Sequence, residues 1–515
     1  MSLARWFDRV ADGVSERPLA LFEGESVTYG EIRARAWRIG SGLQRLRVVG
    51  ERVVTMLPND PELLAIQLGI LHAGGIAVPI MAEGTREEMR HFIDDARPAV
   101  IVATRERWSA VADLVRAVPR VVILTDVAGA AGPGRIEELA TLERAGEKLG
   151  LDPLPVRETD PMALMYTSGS TARPRGVIVD AASFIRDAES QPELFGFRDG
   201  DNVLGVLQLY HMAGWHQSLA IALGCRGGLM MQARFSASRF WEDVDRARAV
   251  GGLLMPAMVA ILLTRPERDD DADHPLRIVL SHWRNEAFEQ RFGVEIIPVW
   301  GQTELGGLAT SGRKGEESPA ANCVGRPVRG TEIEIRDEHG KVLRPGEAGE
   351  VYVRSPWVMK GYWGDSDLTA STLRGGWVRT GDAGKLDAEG RLYYAGRLKA
   401  MIKRAGENIS AFEVESVLAS HPDVAECVCF AVPDPIRTEE VKVVMVPRQG
   451  AAPAFSELIE FCRERLAEFK VPRYWERRVE LPRTRSMKVA IAELQRAPAT
   501  EHGWDRMLEQ EPPAR

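Results

Sequence analysis

The most informative stretch of the chain is Tyr166-Thr167-Ser168-Gly169-Ser170-Thr171-Ala172-Arg173-Pro174-Arg175-Gly176-Val177. Apolar runs on either side of it, from Met162 to Met165 and from Val177 to Val179, predict two strands joined by a flexible loop. Backbone amides and side-chain hydroxyls of such a loop can donate to phosphate oxygens, and the hydroxyls are those of Thr167, Ser168, Ser170 and Thr171. Gly169 allows close backbone approach, and Arg175 adds a guanidinium that can bind phosphate through two nitrogens. A polar surface hairpin is the alternative for a loop of this composition.

The composition excludes several classes of protein. At 515 residues the chain exceeds one ordinary domain, so two or more domains are expected. A formal net charge of −8 argues against a nucleic-acid-binding protein. The 5 cysteines form no CxxC pair and no disulfide framework, which fits a reducing cytoplasm.

A membrane span is the competing interpretation of the segment from Leu63 to Ala82, which lacks charged residues and is long enough to cross a bilayer. Gly74-Gly75 and Pro79 interrupt it, so a buried helix, a turn and a buried strand from Ile76 to Ile80 are favoured. The first residues of the chain contain no apolar signal core.

The pattern along the chain predicts an α/β fold. Between about residues 30 and 260, short β-rich runs alternate with helical patterns, as parallel α/β layers require. From Gly325 short strands and turns predict a β-rich subdomain, and after Gly396-Arg397 the pattern becomes α+β. The predicted elements include strands at Arg52–Leu57, Ala99–Ala103, Val121–Thr125, Glu332–Ile335, Gly349–Arg354, Trp377–Thr380, Arg391–Tyr394, Ala425–Val432 and Val441–Val446, and helices at Pro61–Ala73, Ala411–Ser420 and Phe455–Phe469. Cys427 and Cys429 are expected on one face of their strand.

The loop around Gly169 resembles the phosphate loop of the AMP-forming adenylating enzymes, which include acyl-CoA synthetases, peptide-synthetase adenylation domains and luciferases. That family usually has Thr-Ser-Gly-Thr-Thr-Gly-x-Pro-Lys-Gly. This chain departs from it at Ser170, Ala172 and Arg175, of which Ala172 restricts the backbone where glycine would be free. The loop is not a Walker loop, because no Gly-Lys-Ser/Thr closes it.

A second motif, Trp300-Gly301-Gln302-Thr303-Glu304, follows a predicted strand at Val294–Val299. Polar turns at the carboxyl ends of strands bind ligands in open α/β sheets. Trp300 can stack on a purine and Glu304 is a hard oxygen ligand suited to Mg²⁺, although a surface acid is the plainer interpretation. The family has Tyr-Gly-x-Thr-Glu here, which implies that the aromatic residue flanks adenine, Thr303 contacts phosphate and Glu304 holds Mg²⁺, with Gly301 and Gln302 in the nucleotide site.

A third motif is Arg379-Thr380-Gly381-Asp382, followed by Gly396-Arg397. A carboxylate can accept hydrogen bonds from both hydroxyls of a ribose. The resemblance implies that Asp382 does so and that Arg397 contacts the ribose or a phosphate.

The resemblance also implies roles for residues after Arg397. Lys399 corresponds to the hinge of the family, and Lys403 to a position near the acyl and pantetheine path, with solvent exposure as its alternative. Lys488, in Pro482-Arg483-Thr484-Arg485-Ser486-Met487-Lys488, corresponds to the lysine that reaches the carboxylate and α-phosphate during adenylation. Met487 replaces the usual glycine of that motif.

The implied architecture is a large N-terminal domain of layered α/β subdomains plus a β-rich subdomain, with a small α+β C-terminal domain on a hinge. The expected boundaries are 1–397 for the N-terminal AMP-binding domain, 398–400 for the hinge, 401–498 for the mobile domain and 499–515 for a tail.

The substrate is expected to be a small or polar acid. His211 corresponds to the family's aromatic-His pair at the acyl pocket, and with no third ligand nearby it does not indicate zinc. The segment Leu280-Ser281-His282-Trp283-Arg284-Asn285 replaces the usual Ser-Gly-Gly-Ala-Pro, so bulky side chains would fill space that a long acyl chain needs.

The first hypothesis is an AMP-forming acid–CoA ligase that uses Mg·ATP and CoA, closest in motifs to the crotonobetaine/carnitine–CoA ligases. The second is a CoA-independent adenylating enzyme that passes the activated acid, or nitrite as in the diazotases, to an amine or a carrier protein. The third is a non-catalytic binding protein, motivated by Ala172 and Met487. The acid and the oligomeric state stay open, a homodimer among the options.

Overall fold

The computed structural model describes residues 1–81, 84–116, 119–167, 174–316, 319–320, 322–398, 401–405, 407–483, 489–496 and 503–507. These residues form two compact units that each combine separate parts of the sequence. We call Met1–Leu253, Gly301–Leu308 and Ser355–Val378 the first unit, and Leu254–Trp300, Ala309–Arg354 and the chain from Arg379 onward the second unit.

The described elements alternate as an α/β protein requires. The helices are α1 Leu3–Asp12, α2 Tyr29–Gln44, α3 Pro61–His72, α4 Arg86–Ala96, α5 Arg105–Ser109, α6 Leu139–Leu149, α7 Ala181–Phe195, α8 Leu219–Gly224, α9 Phe240–Ala247, α10 Pro256–Leu263, α11 Glu286–Phe292, α12 Ser366–Thr372, α13 Ala411–Ala419, α14 Phe455–Arg463 and α15 Ile491–Leu494. Shorter turns are a π-helix at Ala213–Ser218 and 3₁₀ turns at Thr303–Leu305 and Glu468–Lys470.

The strands are β1 Pro18–Phe22, β2 Glu25–Thr28, β3 Arg52–Met56, β4 Ile76–Pro79, β5 Val100–Ala103, β6 Val121–Leu124, β7 Arg135–Glu138, β8 Pro161–Thr167, β9 Arg175–Asp180, β10 Asn202–Gly205, β11 Leu229–Met231, β12 Ala249–Leu253, β13 Ile278–Ser281, β14 Glu295–Gln302, β15 Gly307–Ser311, β16 Arg326–Pro327, β17 Glu332–Arg336, β18 Gly349–Arg354, β19 Gly361–Tyr362, β20 Leu373–Arg374, β21 Trp377–Leu386, β22 Leu392–Arg397, β23 Ile402–Arg404, β24 Glu407–Ile409, β25 Val424–Asp434, β26 Thr438–Pro447, β27 Tyr474–Arg477 and β28 Gly503–Asp505.

The first unit contains a sheet in the order β19-β9-β8-β4-β3-β5-β6-β7. The pairs from β4 to β7 are parallel, and their strands are largely buried, as helices on both faces of a parallel sheet require. The pairs β8–β9 and β9–β19 are antiparallel, and the register of β8–β9 places Thr167 opposite Arg175. The predicted strand–loop–strand around Gly169 is therefore confirmed at both of its strands.

A second sheet region of the first unit has the order β12-β10-β11-β1-β2, with parallel pairs from β12 to β1 and an antiparallel edge at β2. Helix α6 crosses α2 closely, because an ideal Cβ at Gly146 would lie 1.7 Å from the carbonyl oxygen of Arg38. Any side chain at that position would force the two helices apart.

The apolar segment after Leu63 is α3 followed by β4, and both are buried. Asp60 accepts a hydrogen bond from the amide of Leu63, and Pro61 occupies the first turn, so α3 has a well-defined start. The helix-turn-strand prediction is confirmed. In the part of the chain that the structure describes, no helix is long and apolar enough to cross a membrane.

The second unit contains the parallel pair β13–β14, an antiparallel group of β17, β18, β21 and β22, and a C-terminal sheet in the order β24-β23-β26-β27-β28, with β25 paired to β26. Helices α13 and α14 contribute Val414, Leu418, Leu458 and Cys462 to the core of that sheet. Cys427 and Cys429 both pack against the same core cluster, so their expected shared face is confirmed.

The predicted helix Phe455–Phe469 is wrong beyond Arg463, where α14 ends. Leu466 still reaches the core cluster and Phe469 packs against it, but through a turn and the 3₁₀ segment Glu468–Lys470. The apolar spacing of the sequence therefore continues past the helix because both residues serve the same core. The predicted strand Trp377–Thr380 is the first part of a longer strand, β21.

Candidate active site

The predicted site residues within the described chain fall into two groups, one in each unit. We call Thr167, Arg175 and Gly301–Glu304 the first-unit cluster, and Trp300, Asp382 and Arg397 the second-unit cluster. His211 and Lys403 belong to neither. Ser168, Gly169, Ser170, Thr171, Lys399 and Lys488 lie outside the described residues.

The ends of the phosphate loop are tied to helix α4. Thr167 ends β8 and Arg175 begins β9. Next to Thr167, the hydroxyl of Tyr166 donates to Asp95 at 2.7 Å, and burial raises the pKa of that hydroxyl. His91 Nε2 lies 3.1 Å from the carbonyl oxygen of Pro174. These contacts fix where the loop leaves and rejoins the sheet.

Arg175, the residue that replaces the family lysine, forms an ion pair with Asp365, with 2.9 Å between Nη1 and Oδ2. Both side chains are about two-fifths exposed (39% and 41%), so the pair is accessible to a competing anion. Asp365 was not found from the sequence, because nothing in its neighbourhood marks it as a partner of a residue 190 positions earlier.

Glu304 lies in the 3₁₀ turn Thr303–Leu305 directly after β14 and is half-buried. Its backbone carbonyl accepts from the amide of Met359 at 2.9 Å, and its carboxylate Oε1 accepts from the hydroxyl of Tyr362 at 3.0 Å. Both ends of this residue are therefore held by one segment of the chain.

A buried polar cluster lies next to the Glu304 turn. Asp187 Oδ2 is 3.0 Å from His216 Nδ1 and accepts from Gln217 at 3.1 Å, and Arg186 pairs with Asp187. Arg186 also donates to the carbonyl oxygen of Gly306 at 3.3 Å and stacks on Trp357. An ideal Cβ at Gly307 would lie 2.5 Å from Asp187 Oδ2, so only glycine fits there.

Ser183 completes a Ser–His–Asp arrangement in this cluster, with 3.1 Å between its Oγ and His216 Nε2. All three side chains are almost fully buried, so no substrate can reach the serine. The cluster is structural and supports the turn that carries Glu304. No motif in the sequence indicates this cluster.

His211 precedes the π-helix Ala213–Ser218 and is half-buried. Its Nδ1 accepts from the amide of Ala213 at 3.2 Å. Single π-turns often occur at functional sites, where they shift the direction of side chains. His211 therefore lies at the start of this turn, and its role in an acyl pocket stays a prediction.

The second-unit cluster centres on Asp382, whose side chain is 1% exposed. Its Oδ2 accepts from the indole N–H of Trp300 at 3.1 Å, and its Oδ1 lies 3.0 Å from Nε of Arg397. Arg397 also donates to the carbonyl oxygen of Thr380 at 3.0 Å. The antiparallel pair β21–β22 brings Asp382 opposite Arg397, which explains how two motifs distant in sequence meet.

The indole of Trp300 therefore does more than present an aromatic face. The tyrosine that is usual in the family has no side-chain N–H, whereas Trp300 donates its indole N–H to Asp382. Asp382 is the carboxylate that the family resemblance assigns to the ribose. A carboxylate offers about four acceptor positions, so Asp382 retains capacity for ribose hydroxyls.

Four aromatic rings follow one another in the second unit, and we call them the aromatic row. Ring centroids are 6.2 Å apart for Trp300–Tyr394, 4.9 Å for Tyr394–Phe412 and 4.8 Å for Phe412–Trp283. Trp283 thus packs on Phe412 of α13, and Arg284 is paired with Glu289. Two of the bulky residues that replace the family's small ones have protein partners of their own.

Lys403 lies on the hairpin β23–β24 and is exposed, and its backbone amide donates to Glu439 at 2.6 Å. The structure does not bring it together with Asp382 or Arg397.

The fit of Mg²⁺ depends on Glu304. Among the described residues, no group of three or more His, Cys, Asp and Glu could hold a metal ion. Mg²⁺ usually keeps several waters and is bound by one or two carboxylates together with substrate phosphates, so a single half-buried carboxylate is sufficient. The residues therefore fit a Mg²⁺ that arrives with ATP.

Comparison with known families identifies the family of this chain. A family model described as AMP-binding enzyme matches residues 7–363, and a model of the AMP-binding enzyme C-terminal domain matches residues 413–488. The chain belongs to the AMP-binding enzyme family. This AMP-binding enzyme is 30% identical over 450 residues to oxalate–CoA ligase of Arabidopsis thaliana, covering 85% of the chain and 87% of the relative. It is 31% identical over 452 residues to a crotonobetaine/carnitine–CoA ligase of Escherichia coli, with the same coverage.

Solved structures agree with this family assignment. A benzoate CoA ligase from Burkholderia xenovorans superposes with a TM-score of 0.84 at 25% identity, covering 96% of this chain and 100% of the other. ATP-bound MatB from Rhodopseudomonas palustris gives a TM-score of 0.81 at 25% identity, covering 96% and 99%. The mixed α/β fold predicted from the sequence is therefore confirmed.

Proposed function

We propose that this AMP-forming acid–CoA ligase activates a small or polar carboxylic acid. The family match across both the large and the C-terminal regions supports the ligase reaction with ATP, Mg²⁺ and CoA. The relatives whose names specify oxalate and crotonobetaine or carnitine act on small, polar acids, and this supports the same substrate class here. The bulky segment His282–Arg284 supports it only in part, since Trp283 and Arg284 have protein partners.

The reaction has two steps. A carboxylate oxygen of the acid attacks the α-phosphorus of ATP, a P–O bond forms, and pyrophosphate leaves with the electrons of the broken P–O bond. The thiol of CoA then passes its proton to solvent or a base, and its sulfur attacks the acyl carbon. A thioester forms, and AMP leaves with the electrons of the broken C–O bond. Glu304 would hold a Mg²⁺ that arrives with ATP, and the ion would supply neutralisation of phosphate charge.

The residues of this chain serve to bind and orient the nucleotide. In our proposal, Thr167, Ser168, Gly169, Ser170, Thr171 and Arg175 hold the phosphates, Thr303 and Glu304 hold phosphate and Mg²⁺, and Asp382 with Arg397 holds the ribose. Trp300 and Gly301–Gln302 flank the base, His211 lines the acyl pocket, Lys403 lies on the pantetheine path, and Lys488 stabilises the charge that develops at the α-phosphate.

The observation that carries this proposal is the enclosure of Asp382. A carboxylate that is 1% exposed, hydrogen bonded by Trp300 and paired with Arg397 is oriented before any ligand arrives. Such pre-organisation suits recognition of a diol, because the acceptor need not be ordered on binding.

The domain boundaries at 397 and 400, the cytoplasmic location and a homodimeric state remain predictions. All 5 cysteines have free thiols, which supports a reducing compartment. The comparisons support CoA as acceptor, and neither an amine nor a carrier protein is needed to explain them.

The test is pyrophosphate release from Mg·ATP with a panel of acids, each with and without CoA, together with mass detection of the thioester. We expect release with short dicarboxylic or zwitterionic acids and formation of one thioester per pyrophosphate. A preference for long-chain fatty acids would contradict the substrate class, and acid-dependent release that never consumes CoA would contradict the ligase.

A further inference from the structure

The segment Met359–Asp365 contacts both Glu304 and Arg175 of the first-unit cluster, and we call it the bridging segment. It contains β19, which pairs antiparallel with β9, with Tyr362 opposite Val177. The backbone amide of Trp363 donates to the carbonyl oxygen of Gly176 at 2.8 Å, and the backbone amide of Lys360 donates to the carbonyl oxygen of Ile178 at 2.9 Å. The bridging segment is therefore attached along the strand that leaves the phosphate loop.

The same segment holds Glu304 at two points. The amide of Met359 donates to its backbone carbonyl at 2.9 Å, and the hydroxyl of Tyr362 donates to Oε1 of its carboxylate at 3.0 Å. Because an ionised carboxylate has only acceptor positions, the hydroxyl of Tyr362 is the donor in this contact.

The far end of the bridging segment is also anchored. Asp365 uses Oδ1 to accept from the amide of Leu368 at the start of α12, at 2.9 Å, and Oδ2 to pair with Arg175. The backbone amide of Tyr362 donates to Thr369 at 2.9 Å. The tyrosine therefore approaches Glu304 from a frame that is fixed by a strand on one side and a helix on the other.

We propose that Tyr362 is a positioning residue that orients the Glu304 carboxylate for Mg·ATP. The inference rests on the proposed function, in which Glu304 is the magnesium ligand. A hydrogen bond to one carboxylate oxygen restricts rotation of the group and leaves its other acceptor positions for a cation. Outer partners of metal ligands act in this way, and their loss typically weakens metal affinity about 10- to 100-fold.

The test is the variant Tyr362→Phe, which retains the ring and removes only the hydroxyl. Binding of a non-cleavable ATP analogue, α,β-methylene-ATP, is measured by calorimetry at a series of Mg²⁺ concentrations. We expect the Mg²⁺ concentration for half-maximal nucleotide binding to rise about 10-fold or more. Thermal unfolding of the same samples reports whether the variant is folded.

The matched control is Tyr393→Phe. Tyr393 also donates its hydroxyl to a carboxylate, that of Asp387 at 3.1 Å, but Asp387 has no place in the proposed site. The Mg²⁺ dependence of nucleotide binding should be unchanged in this variant. A shift of the same size in both variants would overturn the inference, since it would then reflect loss of any such hydrogen bond.

A double-variant cycle separates orientation of Glu304 from a direct effect of the ring. In a Glu304→Gln background the Tyr362→Phe change should add almost nothing, because the group it orients has been altered. A folded Tyr362→Phe protein with wild-type Mg²⁺ dependence would overturn the inference and leave the ligase assignment intact. Wild-type protein that binds the analogue without any Mg²⁺ dependence would overturn the role of Glu304 and, with it, this inference.

Discussion

Asp382 holds a negative charge almost completely out of water. Desolvation of a carboxylate is costly, and here the cost is offset by the indole N–H of Trp300 and by the guanidinium of Arg397. Arg397 is half-exposed while Asp382 is not, so a ligand can approach this pair from the side of the arginine.

Asp382→Asn should therefore weaken ATP binding. The amide has the same shape but loses the charge that strengthens hydrogen bonds to ribose hydroxyls, each of which contributes roughly 1.5–3 kcal/mol. We expect the KM for ATP in acid-dependent pyrophosphate exchange to rise about 10- to 100-fold. Glu389→Gln, an equivalent change at an exposed carboxylate in the turn between β21 and β22, should leave the KM unchanged. An Asp382→Asn enzyme with wild-type KM would contradict the assignment of Asp382 to the ribose.

Sequence reasoning at the residue scale found the motif residues and missed their neighbours. Trp300, Asp382 and Arg397 could be named because each belongs to a short motif that resembles a motif of the family. Tyr362, Asp187 and His216 could not, because their roles depend on burial and on contacts with residues that are 29 to 58 positions away. Trp283 and Arg284 were expected in the acyl pocket, and only the fold gave them protein partners.

At the scale of elements, helix α13 places Glu415 against strand β25. The carboxylate accepts from the backbone amide of Cys429 at 2.7 Å, and Glu426 lies close enough to repel it. Burial dominates and raises the pKa of Glu415 to about 8. Burial also raises the pKa of Glu426, although Arg483 opposes the shift.

The contribution of Glu415 to the stability of the C-terminal region should consequently fall as the pH rises. Glu415 binds its proton more tightly in the folded than in the unfolded state, so its contribution is fully present below the ordinary pKa of glutamate and is lost as the pH rises to about 8. Glu415→Gln should flatten the dependence of unfolding free energy between about pH 5 and pH 8, by on the order of 2–4 kcal/mol. Denaturant unfolding at a series of pH values measures this, with Glu460→Gln on the surface of α14 as the control. Parallel profiles for wild type and Glu415→Gln would contradict the prediction.

At the scale of the whole molecule, the aromatic row connects parts of the second unit that lie on both sides of the predicted hinge at 398–400. Trp283 and Tyr394 precede the hinge in sequence, and Phe412 follows it. Ser410 adds a hydrogen bond to the carbonyl oxygen of Ala395 at 2.7 Å. If the small domain moves as the family resemblance implies, these contacts must break.

Phe412→Leu should make that separation easier. Aromatic pairs contribute about 0.5–1.5 kcal/mol each beyond their buried area, so loss of the two pairs, about 1–3 kcal/mol, favours the detached state roughly 5- to 150-fold. Trypsin cleavage after Lys399, in the predicted hinge, should accelerate by the same factor when cleavage follows the population of the open form. Phe461→Leu is the control, because Phe461 packs on His421 within the C-terminal region. Equal cleavage rates in all three proteins would contradict a role for Phe412 in docking.

The sequence alone determined the family, the α/β class and the nucleotide-site motifs, because these depend on local patterns: apolar periodicity, loop composition and residue types at fixed spacing. It also determined the helix-turn-strand character of the segment after Leu63. The tertiary structure decided which carboxylates are buried, which residues hold Glu304, and that Trp300 donates to Asp382. These properties depend on distances between residues far apart in the chain, and such distances exist only once the sheets have paired and the side chains have packed.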